Sequence, residues 1–376
     1  MKNSRRDFIK AGALGAAAVS TGVLGLPAPA RAETNPKSLD ILVLGGTGCI
    51  GPHMVREALR RGHTVTLFNR GRTDNTLFPD LETIKGDRNN GLDGLKGRRW
   101  DVVIDNSGYL PRHVRDSARL LAPHVSHYLF ISTVAVYADF ASDIDEGSTL
   151  ATIADETVEQ VTRETYGALK VLCEKAVTQE VGADRSTILR PTYVCGPGDH
   201  TDRFTWWPVR TARGGEMLWP GQPGDPLQII DVRDLGNFTV ECVENGITGT
   251  YNTTTPEHGY TMGRLLVDCQ AVTASTVDEL WVDEAFVQAA SQASPAGNYG
   301  AFPIWRPQRG PDAMPAQVIS AAARDAGMHN RPVRETIRDL MSWWATLPDE
   351  RTLKLQAGLS PEFEAELIAR LKDSQG

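Results

Sequence analysis

The sequence is poor in cysteine and has no regular cysteine spacing. Five of the 376 residues are cysteine, and no two of them form a C-x-x-C pair: Cys49, Cys173, Cys195, Cys242 and Cys269. A disulfide framework or a zinc site needs paired cysteines at short, regular spacing, so neither is indicated. We interpret these residues as small buried side chains, and a single disulfide stays open in an oxidising compartment.

Positive charge and long apolar runs are also scarce. Residues 1–32 hold five of the 39 basic residues and one of the 47 acidic residues, so the remaining chain has a net charge of −12. A nucleic-acid partner is therefore not expected. No segment after residue 32 is apolar and long enough to span a bilayer, so we expect no stable membrane insertion once that segment is removed.

The N-terminal segment has the order of parts that is typical of an export signal. Arg5 and Arg6 are followed by Phe8 and Lys10, then by an apolar run over 11–26 and a small-x-small site at 30–32. This pattern indicates a twin-arginine signal peptide over 1–32, with export of the folded protein to the periplasm or the medium. The alternative is a chance arginine pair at a frayed terminus.

A glycine-rich turn joins the first expected strand, 38–44, to a helix that ends near Arg61. A second strand over 64–68 completes a βαβ unit. Glycines at such a turn let the backbone approach a pyrophosphate, and the helix N-terminus supplies N–H donors. The pattern predicts a dinucleotide site that includes Gly45, Thr47, Gly48, Cys49, Ile50 and Gly51.

The residues after the second strand bear on the choice between NAD and NADP. An acidic residue there would bind the 2′-hydroxyl of NAD, whereas this chain has Asn69, Arg70 and Arg72. Two guanidinium groups favour the 2′-phosphate of NADP, unless they only decorate a solvated loop. Further cofactor contacts are expected where later strands end, at Asp87, Asn106, Ser132 and Pro191.

Tyr166 and Lys170 are the main candidates for acid–base chemistry. Side chains four residues apart share one face of a helix, so we expect the ammonium group to lower the pKa of the phenol. Such a phenol could move a proton at a carbon that bears a hydroxyl or carbonyl group. Thr133, at the end of an expected strand over 128–133, would hold the reacting oxygen. The alternative is a half-buried tyrosine beside a solvated lysine.

The order of these motifs resembles the extended short-chain dehydrogenase/reductases, the NAD-dependent epimerase/dehydratase family. The glycine turn, Ser132-Thr133, Tyr166 with Lys170, and the run 190–197 carry the resemblance. It implies an α/β fold, a Rossmann-type doubly wound parallel sheet with a smaller C-terminal substrate lobe. It also implies that Tyr166 is the acid/base, that Lys170 holds the nicotinamide ribose, and that Thr133 holds the substrate oxygen.

We expect a nucleotide-binding domain over 33–191, with its sheet completed by about 227–250. A substrate lobe would occupy mainly 192–350, and a helical appendage 351–376. In the lobe, Arg203 and Arg210 could clamp an anionic group and Trp206 could stack on a ring. The alternative is a hydrophobic lobe with a charged rim. A loop over 298–305 is a candidate lid.

Three functional hypotheses follow from these observations. An exported enzyme would meet little free nucleotide, so a reaction that regenerates its own bound cofactor is favoured. The first hypothesis is thus an epimerase or internal-redox isomerase of a carbohydrate-like or polyol substrate. The second is an oxidoreductase that reduces a ketone or oxidises an alcohol, and the third is a non-catalytic nucleotide-bound binding protein. A metal is not expected, and a homodimer stays open.

Overall fold

A computed structural model gives the fold over residues 38–71, 77–294, 300–311 and 313–375. The signal segment 1–32, Arg72 and the first residues of the expected lid, 298–299, lie outside the described residues. The strands are β1 (Asp40–Leu44), β2 (Thr64–Asn69), β3 (Thr83–Lys85), β4 (Val102–Asp105), β5 (His127–Ile131), β6 (Ser186–Pro191), β7 (Tyr193–Cys195), β8 (Gly215–Pro220), β9 (Ile229–Asp231), β10 (Gly249–Thr253) and β11 (Val277–Val282).

Helices alternate with these strands along the first two thirds of the chain. They are α1 (Gly51–Arg60), α2 (Pro111–Leu121), α3 (Tyr166–Val181), α4 (Trp206–Thr211), α5 (Val232–Glu244), α6 (Met262–Thr273), α7 (Glu284–Ala293), α8 (Ala321–Asp325), α9 (Val333–Trp344), α10 (Asp349–Thr352) and α11 (Pro361–Gln375). Among the helices that the structure describes, none has both the length and the apolar character needed to cross a membrane.

Seven parallel strands form the central sheet, in the order β10-β6-β5-β4-β1-β2-β3. Strand β1 is buried on both faces, because successive side chains point to opposite sides of the sheet. Ile41 and Val43 pack with α1 and α5, whereas Leu42 and Leu44 pack with α2 and α3. The predicted Rossmann-type doubly wound fold is confirmed.

The second lobe is built around a separate apolar core. Strands β8 and β11 pair in parallel, and Trp206, Trp207 and Trp219 lie fully buried beside them. Helix α11 begins at Pro361 after a Ser360 cap, whose hydroxyl accepts from the Phe363 backbone N–H at 3.2 Å.

The last helix, expected as an appendage over 351–376, packs into this core. Leu367 and Ile368 are buried there, and the carboxylate of Glu364 pairs with Arg210 next to β8. The domain boundaries themselves stay predictions.

Candidate active site

A cleft of about 1300 Å³ opens at the carboxyl ends of the sheet strands. This is the edge at which open parallel sheets bind ligands. Most of the predicted site residues line it: Gly45, Thr47, Gly48, Cys49, Ile50, Asn69, Arg70, Asp87, Asn106, Ser132, Thr133, Tyr166, Pro191 and Arg203. The structure therefore brings the glycine turn and the candidate acid/base into one cavity.

The glycine turn is shaped by close backbone approaches. Gly45 has a φ of +93°, and a Cβ added there would lie 2.6 Å from the Cβ of Ser107. A Cβ on Gly51 would lie 2.5 Å from the carbonyl oxygen of Gly45, so Gly51 packs the start of α1 against the turn. A Cβ on Gly48 would meet no atom within 4 Å, because this residue faces the open cleft. The turn therefore leaves room for a pyrophosphate beside Gly48 and the N-terminus of α1.

Tyr166 and Thr133 meet at the end of β5. The Thr133 hydroxyl accepts from the Ala135 backbone N–H at 3.2 Å, and it lies near enough to the Tyr166 phenol to lower the pKa of that phenol. Helix α3 can approach this turn because residue 167 is glycine, where a Cβ would lie 2.1 Å from the carbonyl oxygen of Ala135. Burial raises the pKa of the Tyr166 phenol to about 12, with a further contribution from Tyr109. The phenol is therefore a neutral proton donor at physiological pH.

Lys170 corrects one sequence-based expectation. Its ammonium group donates to the carbonyl oxygens of Gly108 at 2.8 Å and Ile131 at 2.7 Å, and it lies 4.0 Å from the ring centre of Phe130. Burial lowers the pKa of Lys170 to about 8. The expectation that Lys170 lowers the pKa of Tyr166 is wrong in this structure, because burial of the phenol outweighs any such effect.

The other end of the cleft holds the residues expected around the ribose. The Asn69 side-chain oxygen accepts from the Gly71 backbone N–H at 2.9 Å, and Arg70 is exposed on the rim. The Asn106 amide donates to the Gly45 carbonyl oxygen at 3.2 Å, which ties the β4 end to the glycine turn. These contacts support one continuous wall from the turn to Asp87.

The residues present fit a dinucleotide. The hydroxyl of Ser132 is buried against the cleft and has no hydrogen-bond partner among the described residues. A buried polar group without a partner is costly, so a bound ligand is the natural partner for this hydroxyl. Together with the open face of Gly48, it supports NAD(P) binding along this wall.

Arg88 is a cleft residue that sequence reasoning missed. Its guanidinium group makes a two-pronged ion pair with Asp105, at 2.6 and 2.7 Å, and donates to the Ser117 hydroxyl. The Tyr128 hydroxyl donates to the same carboxylate at 2.8 Å. The sequence did contain a signal for this pair. Asp105 ends an apolar strand, and a carboxylate that is buried there needs a cationic partner such as Arg88.

Two predicted substrate residues lie outside the cleft, and both are corrected. Trp206 is fully buried, with its ring edge against Trp207 and its indole N–H on the Leu359 carbonyl oxygen. Arg210 is buried and pairs with Glu364. Both belong to the lobe core because α4 is short and buried on all sides. Arg203 does line the cleft, with its guanidinium 5.4 Å from the Tyr193 ring centre.

The substrate side of the cleft contains further residues that the sequence did not single out. Tyr109 lies beside Tyr166, with 6.5 Å between ring centres. Arg306 lies over the Phe140 ring, 5.5 Å from its centre. Both follow loops without a recognisable motif, so only the fold brings them to the site.

Comparison with known proteins agrees with this geometry. The sequence model of the NAD dependent epimerase/dehydratase family matches residues 41–105 and 98–253, which together make up more than half of the chain. The fold and the cleft are those of an extended short-chain dehydrogenase/reductase, with a wall that fits a dinucleotide. The chain belongs to the NAD dependent epimerase/dehydratase family. Residues 2–22 match the twin-arginine translocation signal sequence, so the predicted signal is confirmed.

Curated relatives are more distant. The chain is 27% identical over 221 residues to the chloroplast stem-loop binding protein of 41 kDa b from Arabidopsis thaliana, covering 54% of this chain and 55% of that protein. It is 29% identical over 183 residues to a 3-beta-hydroxysteroid dehydrogenase from Mycolicibacterium neoaurum, covering 43% and 49%. The chain thus spans about half the length of the curated relatives it matches.

A solved structure shares the fold over most of the chain. WbmG of Bordetella bronchiseptica, in complex with NAD and UDP, superposes with a TM-score of 0.60 at 16% identity, over 86% of this chain and 99% of that one. At this identity the similarity concerns the fold.

Proposed function

We propose that the protein is an NAD(P)-dependent epimerase or internal-redox isomerase of a polyol or carbohydrate-like substrate. The observation that carries the proposal is the juxtaposition of Tyr166 and Thr133 in the same cleft as the glycine turn. A bound NAD(P)⁺ would supply the hydride acceptor for this chemistry and, once reduced, the hydride donor.

The chain's own residues would manage the proton and the orientation. In the oxidation half, Tyr166 would have to act as phenolate, and the positive charge of a bound NAD(P)⁺ would favour loss of the phenol proton to solvent. The phenolate would then take the hydroxyl proton as the alcohol becomes a ketone and return it when the ketone is reduced. Thr133 would hold the reacting oxygen at the same point. Lys170 donates to the carbonyl oxygens of Gly108 and Ile131 beneath the cleft, and it would orient the ribose.

The signal sequence supports a closed redox cycle. A folded protein can carry a bound nucleotide through the twin-arginine route, whereas free NAD(P) should be scarce outside the cytoplasm. Oxidation followed by reduction of the same intermediate needs no second nucleotide. The periplasm is the compartment in which we propose that this cycle runs.

Arg70 supports a preference for NADP over NAD. It is exposed on the cleft rim where β2 ends, and that strand ends in Asn69 instead of a carboxylate. A 2′-phosphate would meet a guanidinium group there and no acidic residue at the strand end.

A net oxidoreductase is the second candidate. The similarity to a 3-beta-hydroxysteroid dehydrogenase favours it, because that protein is named for oxidation of a secondary alcohol. In that case the same residues would act in one direction, and the nucleotide would exchange after each turnover.

The decisive experiment starts from mature protein recovered after export. Denaturation and mass spectrometry should release about one NAD(P) per chain, and the mass shows whether the 2′-phosphate is present. The loaded protein is then given polyols and sugars that carry deuterium at one carbinol carbon. Isomer formation with the deuterium retained and no growth of absorbance at 340 nm is expected. Steady growth at 340 nm would select the oxidoreductase instead.

A further inference from the structure

Arg306 is a guanidinium group in the substrate wall of the cleft. It is half-buried, donates to the Ala316 carbonyl oxygen at 2.9 Å and stacks on Phe140. Among the residues that the structure describes, no carboxylate forms an ion pair with it, and burial lowers its pKa from the usual arginine value. A half-buried cation with no anion beside it is costly, so its position calls for a ligand.

Three other arginines of this lobe form ion pairs. Arg210 pairs with Glu364 and Arg351 with Asp202. Arg309, three residues after Arg306, is exposed and pairs with Asp225 and Glu284. These three guanidinium groups lie outside the cleft and have carboxylate partners, whereas Arg306 inside the cleft contacts a carbonyl oxygen and an aromatic ring.

The segment that carries Arg306 is held on both sides. The Trp207 indole donates to the Pro303 carbonyl oxygen at 3.1 Å, and the Trp305 indole donates to the Asp225 carboxylate at 3.1 Å. Between them, Ile304 has a φ of +64°, a conformation that a β-branched residue rarely adopts. Backbone strain of this kind persists only where surrounding contacts hold the backbone in place. The contacts of this segment therefore fix the position of Arg306.

Apolar side chains line the cleft that holds Arg306. Phe140 lies under its guanidinium group, and Ile304, Met314 and Val318 line the same cleft, as does Tyr193, whose ring lies under Arg203. A sugar that is hydroxylated on every face would leave these apolar side chains without a matching surface. A substrate whose ring or chain has an apolar face would bury that face against these side chains.

We propose that the substrate is an amphipathic anion, a hydroxylated molecule whose carboxylate or phosphate pairs with Arg306 and whose apolar face lies on Phe140 and its neighbours. This inference rests on the proposed function, since it places the reacting hydroxyl at Tyr166. It narrows the polyol of that proposal to one with an acidic group and an apolar face.

The test measures binding by calorimetry on mature protein saturated with nucleotide. The probes are 2-naphthoate, 2-naphthyl phosphate and neutral 2-naphthol, and the two anions distinguish the carboxylate from the phosphate. We expect at least one anion to bind about tenfold or more tightly than 2-naphthol, as a hydrogen bond to a charged group predicts. Arg306→Gln should remove that advantage and leave 2-naphthol unchanged, while Arg306→Lys should keep part of it.

Arg309→Gln is the matched control, because it changes the same segment outside the cleft. Equal loss in Arg309→Gln and Arg306→Gln would overturn the proposal, since it would mean that the segment had simply loosened. Equal binding of the neutral and anionic probes by the native protein would overturn it too. So would UDP that binds more tightly than both naphthyl anions, because the site would then be one for a nucleotide diphosphate.

The readout needs no turnover, so the two proposals can fail separately. Anion binding that depends on Arg306, without deuterium-retaining isomerisation, would contradict the epimerase and leave the substrate class standing. Isomerisation of neutral polyols that is unaffected by Arg306→Gln would contradict the substrate class and leave the epimerase standing.

Discussion

The two ends of the cleft are built in different ways. At the nucleotide end, seven consecutive residues from Gly45 to Gly51 form the turn, and their backbone shape is the recognition element. At the substrate end, Phe140, Arg203 and Arg306 come from segments more than 160 residues apart at the extremes. A contiguous backbone motif can be read in a sequence, whereas a wall of distant side chains exists only after folding.

The tryptophans of the second lobe show why side chains of the substrate end are hard to assign from sequence. Trp206 and Trp207 follow a charged loop, as residues of a sugar-binding surface often do. In the structure they form an aromatic cluster with Trp219, with 4.8 and 4.7 Å between successive ring centres. Their apolar area stabilises the lobe, and the cleft takes its aromatic surface from Phe140 and Tyr193 instead.

The largest expected effect is on kcat, at Tyr166, where the nucleotide end and the substrate end of the cleft meet. Tyr166→Phe removes the hydroxyl group that we propose moves the proton, so kcat should fall by about 10²- to 10⁴-fold. The bound nucleotide should stay at the native level, because the phenol does not touch the glycine turn. Tyr109→Phe is the control, with a change in kcat below about tenfold. A Tyr166→Phe enzyme with near-native kcat would remove Tyr166 from the mechanism.

The second effect concerns the substrate lobe core. Trp206→Ala should lower the free energy of unfolding by about 3–5 kcal/mol, because it empties a fully buried site. Urea unfolding measures the loss, and KM of the fraction that stays folded should not change. Trp343→Ala, at a half-buried position on α9, should cost much less. A raised KM with an unchanged free energy of unfolding would contradict this and indicate that Trp206 contacts the substrate.

Much of the nucleotide half could be predicted from local sequence. The βαβ unit, the strand ends at Ser132 and Asp87, and the helix that starts at Tyr166 depend on short-range patterns of burial and turns. The confirmed sheet follows from them because alternating strands and helices leave few topologies.

The side-chain environment of the site could not be predicted in the same way. The spacing of Tyr166 and Lys170 places them on one helix face, yet the ammonium group turns to the carbonyl groups of Gly108 and Ile131. Those acceptors come from the loop after β4 and from the end of β5, and their positions depend on the whole sheet. Arg306 was missed for the same reason, since it is identified by a three-dimensional property: no carboxylate of the described residues pairs with it.

The glycine turn offers a third, smaller test within the nucleotide end. Gly51→Ala puts a Cβ against the Gly45 carbonyl oxygen and should destabilise the fold by about 1–3 kcal/mol. Gly48→Ala meets no protein atom, so stability should stay native while NAD(P) binds at least about tenfold more weakly. Thermal unfolding and calorimetry separate the two outcomes. Native affinity in Gly48→Ala would mean that the pyrophosphate does not approach this residue.

The smallest expected effect concerns an ion pair at the rim between the two ends. Arg112, on α2, makes two hydrogen bonds to Glu159 at 2.6 and 3.0 Å and a third to Asn89 at 3.0 Å. Val161, Thr162 and Arg163 follow Glu159 along the chain and line the cleft. The pair therefore fastens the segment before Tyr166 to the loop that follows Asp87.

Breaking this pair should loosen the rim over the nucleotide. Arg112→Gln should speed NADPH release by about two- to fivefold, because exposed ion pairs contribute little individually. High salt should reduce the difference, since it screens exposed charges. Arg119 on the same helix makes an equivalent two-pronged pair with Glu180 away from the cleft, so Arg119→Gln is the matched control. If both variants released nucleotide at one rate in a fluorescence chase, cofactor retention would depend on the glycine turn, and the substrate side would contribute nothing to it.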